Sequence, residues 1–518
     1  MLLNMDQLTM LASCCLVFLP YLVLGTSSAA CLNGVCNISR KDLPVEQIAS
    51  ELGPQLSSTS NIFGPDDARW TNATERFQAL VRPDVQLVVQ PGQESDVPTI
   101  VQYANDNSIA FMATNRRHAL TLSIGTFSGI EIDLSLLRNV TLNAESSATL
   151  QGGAYDEAVW STLWNEGYIT TTGSASCVGM LGLALGGGHG RWQGYYGLVA
   201  DNIINLNMVL ANSTAVTVAD DTNPDLFWAM KGAGHNFGIV TSFEIKVYDR
   251  GPDTWFYKIY IWNQTKIETV FETLNMFRQG GTQPKEMAVN YGAYLVNTSI
   301  SNTVYLQPVL WWSFVYIGSE ADAQQYLVPF DAIEAIDVQH GSVPYPEIAE
   351  VTLTGASSGL CTPGFVHNHA TSYLQTWNST AQRQIYDLFS RKINENAQWF
   401  NSTVVMEDYA HEGVGAVDPA TSAYPWREYS LLSYINVAYA SNETLDPAAR
   451  EWALETRDLW NAGQADLPVA TYVNYARGDE PLGSVYGYNA WRLERLRGLK
   501  TEYDPNDRFS YYNPIVPL

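Results

Sequence analysis

The feature that most constrains the fold is a strand–helix–strand unit at residues 85–113. Residues 85–89 have the β-branched, apolar character of a strand, Pro91 and Gly92 form a turn, and apolar residues recur at helical spacing after Ser95. A second strand is predicted at residues 109–113. Because strands joined by a helix usually pair in parallel, the unit predicts an α+β domain with some parallel pairing.

The pattern changes at Trp255. Before it, further strands are predicted at residues 130–134 and 238–247. After it, the predicted strands are 303–309, 403–406 and 431–438, and the predicted helices are 266–277, 381–396 and 447–461. This alternation indicates an antiparallel sheet backed by helices, and the tail from Tyr472 to Leu518, with its own strand and helix, is expected to return to the first domain.

The chain has 518 residues, which is too long for one core. We therefore expect a lead-in (residues 31–78), a first domain (79–250), an inserted second domain (251–467) and a returning segment (468–518). Apolar residues make up 46% of the sequence and charged residues 16%, as in a packed globular protein. A net charge of −25 argues against nucleic acid or a membrane surface as a partner.

The amino terminus predicts a secreted protein. Residues 8–25 are almost uncharged, and a run of small residues ending at Ala30 is typical of a signal peptide spanning residues 1–30. The alternative, a membrane anchor, is disfavoured because the apolar run is short and Pro20 interrupts it. Nine glycosylation sequons also indicate the secretory pathway; they are Asn37, Asn72, Asn139, Asn212, Asn263, Asn297, Asn378, Asn401 and Asn442.

Four cysteines remain after signal cleavage. Cys31 and Cys36 are close enough for a small-loop disulfide, whereas Cys177 and Cys361 lie in apolar surroundings and are expected to be free and buried. No metal-type spacing appears. His367 and His369 would share one face of a strand, and two histidines without a third ligand more often form a pocket wall than a metal site.

Four segments carry candidate chemistry. They are the turn at residues 113–118, the Gly-Gly-Gly-His-Gly run at 186–190, the glycine-rich turn at 231–240 and the Ala-Thr-Tyr-Val-Asn-Tyr segment at 470–475. None matches a P-loop or a Rossmann fingerprint. Residue types alone suggest a nucleotide cofactor, although ordinary tight turns would explain the glycines equally well.

Together these segments resemble the berberine-bridge-enzyme-like branch of the vanillyl-alcohol-oxidase flavoproteins, from about Pro83 to Ile515. The resemblance rests on an ordered set of motifs: the Gln-Pro-Gly turn at 90–92, the turn ending at His118, and the segments 129–134, 186–190, 196–202, 225–234, 472–475, 492–493, 499–500, 503–505 and 513–515. It implies a PCMH-type FAD-binding domain built from both chain ends, with the substrate domain inserted between them.

The resemblance also implies that His118 is linked covalently to FAD. Some members add a cysteinyl bond, but Ala175 occupies that position, so a single linkage is expected; Cys177 is two residues away and is interpreted as a buried thiol. The family usually has glycines before the linking histidine, where this chain has Arg116 and Arg117. These arginines are expected to pair with the FAD pyrophosphate. The alternative is a rearranged loop that weakens flavin attachment. Members of the family often have a second histidine near Leu183, and its absence here puts in doubt whether a second side chain assists the attachment.

Further site residues follow from the same motifs. Tyr472 matches the active-site tyrosine that serves as a base in several members, Asn474 would contact the flavin edge, and Val178 falls on the oxygen-gating position, where it either admits O2 or merely packs. Glu407, Asp408, Tyr434 and Asn436 are candidates on the substrate side. The remaining expected cofactor contacts are Thr114, Asn115, Ser174, Gly179, Gly186, Gly188, His189, Gly190, Asn236, Gly238, Ile239, Val240 and Asn513.

The sequence thus predicts a secreted FAD-dependent oxidase of a small organic molecule, of a kind found in natural-product pathways, with O2 as the electron acceptor. One alternative is an oligosaccharide oxidase on the same scaffold. The other is a secreted binding protein that keeps the fold without a flavin.

Overall fold

The computed structural model describes residues 30–32, 35–37, 44–144, 146–279, 283–297 and 306–518. The strands are β1 (Ala30–Leu32), β2 (Val35–Asn37), β3 (Asn61–Phe63), β4 (Asp84–Gln90), β5 (Phe111–Thr114), β6 (Ser128–Asp133), β7 (Val140–Ala144), β8 (Ser147–Gln151), β9 (Tyr168–Ile169), β10 (Ile203–Val209), β11 (Ala215–Ala219), β12 (Ile239–Lys246), β13 (Tyr248–Asp249), β14 (Trp255–Trp262), β15 (Val289–Val296), β16 (Pro308–Tyr316), β17 (Asp337–Val343), β18 (Val366–Leu374), β19 (Thr403–Tyr409) and β20 (Leu431–Tyr439).

The helices alternate with these strands. They are α1 (Val45–Leu52), α2 (Trp70–Thr74), α3 (Asp96–Asp106), α4 (Asp156–Asn165), α5 (Met180–Leu185), α6 (Gln193–Tyr196), α7 (Pro224–Ala233), α8 (Ile267–Arg278), α9 (Glu320–Asp331), α10 (Ile348–Val351), α11 (Ser379–Glu395), α12 (Glu412–Gly415), α13 (Asp446–Ala462), α14 (Leu482–Tyr486) and α15 (Ala490–Tyr503).

The predicted strand–helix–strand unit forms a four-stranded sheet of order β3-β4-β6-β5. Strand β6 lies between β4 and β5 and is parallel to both, which confirms the expected parallel pairing. Helix α3 begins after Ser95 and buries Val97, Ile100 and Val101 against this sheet. The turn that follows β5 therefore leaves the sheet at a fixed edge and carries His118 there.

A second, five-stranded sheet of order β11-β10-β12-β8-β7 is antiparallel throughout. Its core includes Leu496 and Leu499 of α15 and Ile515, so the chain's last segment packs into the first domain as expected. The strand predicted in that segment is wrong. Residues 472–518 contain α14, α15 and a 3₁₀ turn at Val473–Tyr475, and a backbone bond from this segment to the first domain, from the Leu122 N–H to the Arg477 carbonyl, is a single one and not part of a ladder.

The inserted region forms a seven-stranded antiparallel sheet of order β17-β14-β16-β15-β19-β20-β18. Helices α8, α9, α11 and α13 bury their apolar faces against one side of it, as predicted. The strand expected at residues 303–309 is β16, which begins at Pro308; residues 298–305 lie outside the described part. The other side of the sheet faces the first domain.

The predicted signal peptide, residues 1–30, lies outside the described residues apart from the backbone of Ala30. In the backbone pairing of β1 with β2, Cys31 stands opposite Cys36, but their side chains are outside the described part, so the disulfide between them stays a prediction. Among the described residues, no helix is both long enough and apolar enough to cross a membrane.

Candidate active site

A cavity of about 750 Å³ lies between the first domain, the seven-stranded sheet and the returning segment, and residues of all three form its wall. Its volume is that of a pocket for a large cofactor or ligand. Most of the residues singled out from the sequence border it: Thr114, Asn115, Arg116, Arg117, His118, Ser174, Val178, Gly179, His189, Gly238, Ile239, Val240, Tyr472 and Asn474.

His118 is held between aromatic and sulfur contacts at one end of the cavity. Its ring stacks on Phe77 with 4.4 Å between centroids, and Phe77 stacks in turn on His367 at 4.0 Å. Its Nε2 lies 3.4 Å from Cys177 Sγ. Burial, with smaller contributions from His367 and Arg116, lowers the pKa of His118 to about 4, so the imidazole is neutral at neutral pH.

The two arginines before His118 have different environments. Arg117 has a positive φ of 57°, and its guanidinium pairs with Glu131 (2.9 Å) and Asp133 (2.7 Å), both fully buried, rather than being left free for a pyrophosphate. Arg76 binds the other oxygen of Glu131. Arg116 is exposed, donates to the Cys177 carbonyl at 3.2 Å and lies 4.6 Å from the ring centre of Tyr155. Of the two arginines expected to bind the pyrophosphate, only Arg116 has no carboxylate partner among the described residues.

Three residues of the glycine run, Gly186, Gly188 and Gly190, lie behind the cavity wall rather than on it. A Cβ on Gly186 would lie 2.1 Å from Asn474 Oδ1, so the absence of a side chain lets α5 approach the returning segment. Gly188 has a φ of 84°, which other residues rarely adopt. The run therefore supports the site through close packing.

Asn236 and Asn513 also lie away from the cavity wall. Asn236 Oδ1 accepts from the Ile515 N–H at 2.8 Å, and Asn513 Nδ2 donates to the Val473 carbonyl at 2.9 Å. Asn236 thus attaches the last segment of the chain to the first domain, and so does Asn513, whose Oδ1 accepts from the Thr121 hydroxyl at 3.0 Å. Their contribution to the site is to fix the position of the segment that carries Tyr472.

The Tyr472 hydroxyl oxygen is surrounded by N–H donors. It accepts from the Gly188 N–H (3.2 Å), the His189 N–H (3.4 Å) and Asn474 Nδ2 (2.7 Å). Burial raises the pKa of Tyr472 to about 12, although these donors act in the opposite direction. Because the donors fill the oxygen, the hydroxyl's own proton is left to donate into the cavity.

Of the substrate-side candidates, Glu407, Tyr434 and Asn436 border the cavity and Asp408 does not. Alternation along β19 directs Glu407 to the cavity, where Tyr475 donates to its Oε1 at 3.0 Å, and directs Asp408 to the opposite face, where it binds Asn290. The expectation for Asp408 was therefore wrong. Burial raises the pKa of Glu407 to about 7, against the hydrogen bonds from Tyr475 and Tyr409.

Beside Glu407, the wall that the seven-stranded sheet contributes also has apolar and aromatic side chains. Strands β15, β16 and β19 contribute Tyr291, Ala293, Leu295, Trp311 and Val405. His367 and His369 border the cavity as well, in line with the pocket-wall interpretation of this pair. The described residues contain no group of three or more side chains suited to a metal ion.

The two cysteines expected to be free are joined to each other. Cys177 and Cys361 form a disulfide, so the interpretation of Cys177 as a buried thiol was wrong. The bond connects the segment before α5 to the segment between α10 and β18, across 184 residues. No local pattern in the sequence links two cysteines so far apart.

Sequence reasoning also missed several wall residues. Phe77, Trp311 and the tail residues Tyr511 and Tyr512 border the cavity, and so does Arg191, which directly follows the glycine run. The aromatic residues gave no signal because aromatic residues are common throughout the chain. Arg191 did offer one, since it is a charged residue in an otherwise glycine-rich and apolar stretch.

Two family models match the chain. The model described as "FAD binding domain" matches residues 85–219, and the model described as "Berberine and berberine like" matches residues 471–516. The FAD-linked oxidoreductase anuG of Penicillium roqueforti is 50% identical over 94% of this chain and 95% of its own length. The chain belongs to the berberine-bridge-enzyme-like FAD-linked oxidoreductases.

Other members of the family agree with this assignment. The FAD-linked oxidoreductase OXR2 of Pyricularia oryzae is 46% identical over 92% of this chain and 93% of its own length. Among solved structures, the glucooligosaccharide oxidase of Acremonium strictum, described with a 6-S-cysteinyl, 8α-N1-histidyl FAD, superposes with a TM-score of 0.76. It is 20% identical over 91% of this chain and 99% of that chain, which shows a shared berberine-bridge-enzyme-like fold.

The residues present fit the FAD that this family binds. Two buried amide oxygens on the cavity wall, Asn115 Oδ1 and Asn474 Oδ1, have no partner within the described structure. Such acceptors suit N–H donors like those of the isoalloxazine and adenine rings. Close packing of Gly179 against Asn115, where a Cβ would lie 2.7 Å from Nδ2, keeps one of these amides in place.

Proposed function

We propose that this FAD-linked oxidoreductase is a secreted oxidase of a small, mostly apolar organic molecule, with FAD bound covalently through His118 and O2 as the electron acceptor. The carrying observation is one cavity that has His118 at one end, the Tyr472 hydroxyl and the Glu407 carboxyl on its wall, and apolar and aromatic side chains beside Glu407 on the seven-stranded sheet. When bound, the FAD accepts a hydride from the substrate and passes the electrons on. The chain's own residues bind the substrate and take up its proton.

Covalent attachment through His118 is supported by the state of that side chain. A neutral imidazole keeps a lone pair for bond formation, and the low pKa of His118 ensures this form. Stacking on Phe77 holds the ring in one orientation. A single linkage is supported because Ala175, at the position of the family's second linkage, borders the cavity and Cys177 is tied to Cys361.

A group near the substrate must accept the proton that a hydroxyl or amine loses as its C–H hydride departs. Tyr472, with a pKa of about 12, retains its proton at neutral pH and is suited to donate a hydrogen bond to a substrate oxygen. Glu407 has a pKa of about 7 and borders the same cavity, so it is our candidate for the proton acceptor. Tyr475 orients Glu407 through its 3.0 Å hydrogen bond.

A small apolar substrate is favoured over an oligosaccharide by the sheet wall, because Leu295 and Val405 offer no hydrogen bonds to sugar hydroxyls and Trp311 offers only its indole N–H. The second candidate function, oligosaccharide oxidation, is supported by the fold shared with the glucooligosaccharide oxidase. Half-buried Val178 borders the cavity, and its small side chain supports O2 as the acceptor.

Secretion is supported by three features. The amino-terminal sequence resembles a signal peptide, a disulfide suits an oxidising compartment, and several sequons are exposed. The exposed sequon asparagines are Asn72, Asn139, Asn212, Asn378 and Asn401. We expect N-glycans on some of these residues.

The linkage is tested by precipitating the protein with acid and measuring flavin absorbance in the pellet and the supernatant. Wild-type protein should keep its flavin in the pellet, whereas His118→Ala should release it, because the only expected bond to the cofactor is lost. His340→Ala, at an exposed histidine, serves as the control and should behave as wild type. Complete release from wild-type protein would refute the covalent bond.

The substrate class and the use of O2 as electron acceptor are tested by measuring the release of hydrogen peroxide. Wild-type enzyme is supplied with small aromatic alcohols and, separately, with oligosaccharides. Peroxide from the first group alone supports the apolar-substrate oxidase. Peroxide from sugars alone favours the second candidate function.

A further inference from the structure

Arg191 is a buried cation on the cavity wall that has no carboxylate partner. Only 1% of its surface is exposed, and it forms no ion pair within the described residues. Its Nη2 donates to Thr354 (2.9 Å) and more weakly to Thr352 (3.4 Å). Its Nε is buried and has no partner in the part of the chain that the structure describes.

Three other buried arginines have a carboxylate partner, whereas Arg492, which has none among the described residues, donates to the backbone carbonyls of Ser422 and Pro419. Arg76 pairs with Glu131, Arg427 with Asp201 and Arg477 with Asp479. A buried charge without a counter-ion is costly, so a protein ordinarily pairs it or leaves it to a ligand. Arg191 borders the cavity, where a ligand can reach it.

The two carboxyl groups that interact electrostatically with Arg191 do not form an ion pair with it. Asp156 and Glu407 both feel the field of Arg191, but neither lies within ion-pair distance of it. Burial raises the pKa of Asp156 well above its usual value and that of Glu407 to about 7. The guanidinium of Arg191 is therefore left without a direct counter-ion among the described residues.

We propose that Arg191 binds an anionic oxygen of the substrate, so that the enzyme accepts small apolar or aromatic molecules bearing a carboxylate or an acidic phenol. The inference rests on the proposed function and names its substrate class. The threonine hydroxyls of Thr352 and Thr354 fix the guanidinium from one side, and its planar fork is suited to carboxylate oxygens. The apolar wall carrying Trp311 and Leu295 receives the rest of the molecule.

The test uses the flavin-loaded enzyme, with benzoate as the anionic probe and benzyl alcohol as its uncharged counterpart. Binding is followed through the flavin absorbance spectrum. In Arg191→Met the dissociation constant for benzoate should rise by about tenfold or more, since a charged hydrogen bond is lost, while that for benzyl alcohol should stay within about twofold. Arg191→Lys, which keeps the charge, should retain most of the benzoate affinity.

Arg391→Met is the matched control, because it removes the same charge from an exposed helix position and should leave both affinities unchanged. Sulfite tests whether Arg191 acts on the flavin instead of on the substrate. It adds to oxidised flavin more readily when a cation lies beside the ring. If Arg191→Met weakens sulfite binding but not benzoate binding, the arginine serves the flavin and the proposal is overturned.

Failure of the inference is distinguishable from failure of the proposed function. Wild-type enzyme that carries flavin and releases peroxide, yet binds benzoate no better than Arg191→Met does, overturns the role of Arg191 alone. Wild-type protein purified without flavin overturns the proposed function before any probe is added.

Discussion

At the residue scale, Arg117 links the ionic interior of the first domain to the histidine that we expect to carry the flavin. Its left-handed backbone turns the chain into His118, and its carbonyl accepts the Phe77 N–H at 3.3 Å. Phe77 then stacks on His118. The ion pairs of Arg117 with Glu131 and Asp133 thus fix both the backbone before His118 and the position of Phe77.

Replacing Arg117 by alanine should destabilise the fold and misplace His118. Two buried carboxylates would lose a partner, which typically costs about 3–5 kcal/mol. The neighbouring Arg116→Ala is the control and should cost about 1 kcal/mol, since an exposed cation–π contact and one hydrogen bond to the Cys177 carbonyl are removed. Denaturant midpoints measure stability, and the acid-stable flavin fraction, which should fall only in Arg117→Ala, measures positioning. Equal losses in the two variants would contradict this role.

Glu407 predicts a pH-dependent stability difference. Burial raises its pKa from an ordinary value of 4.5 to about 7 in the folded chain, so the folded state holds a proton that the unfolded state has lost between these pH values. The contribution of Glu407 to the free energy of unfolding is at its maximum below about pH 4.5. It falls by roughly 3 kcal/mol in total as the pH rises to about 7. Glu407→Gln should escape this decline.

The measurement is the melting temperature of wild type and Glu407→Gln at several pH values. The advantage of the variant should grow from pH 4.5 to 7 and then stay constant. Glu443→Gln, at an exposed glutamate, should show no such trend. A constant gap between wild type and Glu407→Gln at all pH values would count against a buried, protonated carboxyl.

At the scale of elements, the segment between α10 and β18 crosses the cavity and is fixed by the Cys177–Cys361 disulfide. Leu353, Thr354, Leu360 and Thr362 of this segment border the cavity. The Ser176 N–H also donates to the Thr354 carbonyl at 3.0 Å, and Arg191 donates to the hydroxyls of Thr352 and Thr354, so hydrogen bonds also attach the segment to the first domain. The disulfide is the covalent attachment.

Removing the disulfide should loosen this segment without releasing the flavin. The double variant Cys177→Ala/Cys361→Ala should lose about 2–4 kcal/mol of stability, because the cross-link no longer restricts the unfolded chain. Hydrogen exchange in residues 352–365 should quicken, while the acid-stable flavin fraction stays near that of wild type. Cys361→Ala alone leaves the Cys177 thiol free beside His118, so comparison with the double variant separates the effect of this thiol from the effect of losing the disulfide. Unchanged exchange in this segment would contradict its dependence on the bond.

The elements also show what the sequence could and could not predict. Helix α3 and strands β4 to β6 follow from local periodicity, and the structure has them within a few residues. Assigning Glu407 to the cavity and Asp408 to the opposite face requires the register of β19, because adjacent residues of a strand point in opposite directions. Sequence pattern does not supply that register.

At the scale of the whole molecule, the motifs located the site but not all of its walls. His118, Val178 and Tyr472 were found because family motifs mark them, and the structure brings them to one cavity. The disulfide and the wall formed by Tyr511 and Tyr512 depend on contacts between distant parts of the chain. Such contacts leave no local signal, so they become apparent only in the folded molecule.

The dependence of the first domain on α15 and Ile515 has a consequence for biosynthesis. Leu496, Leu499 and Ile515 fill the core beneath the five-stranded sheet, and Phe509 packs in the core of the four-stranded one. On the ribosome, the amino-terminal half emerges long before these residues exist. The cofactor chamber therefore stays incomplete until these residues have left the ribosome, and we expect flavin loading to follow that point.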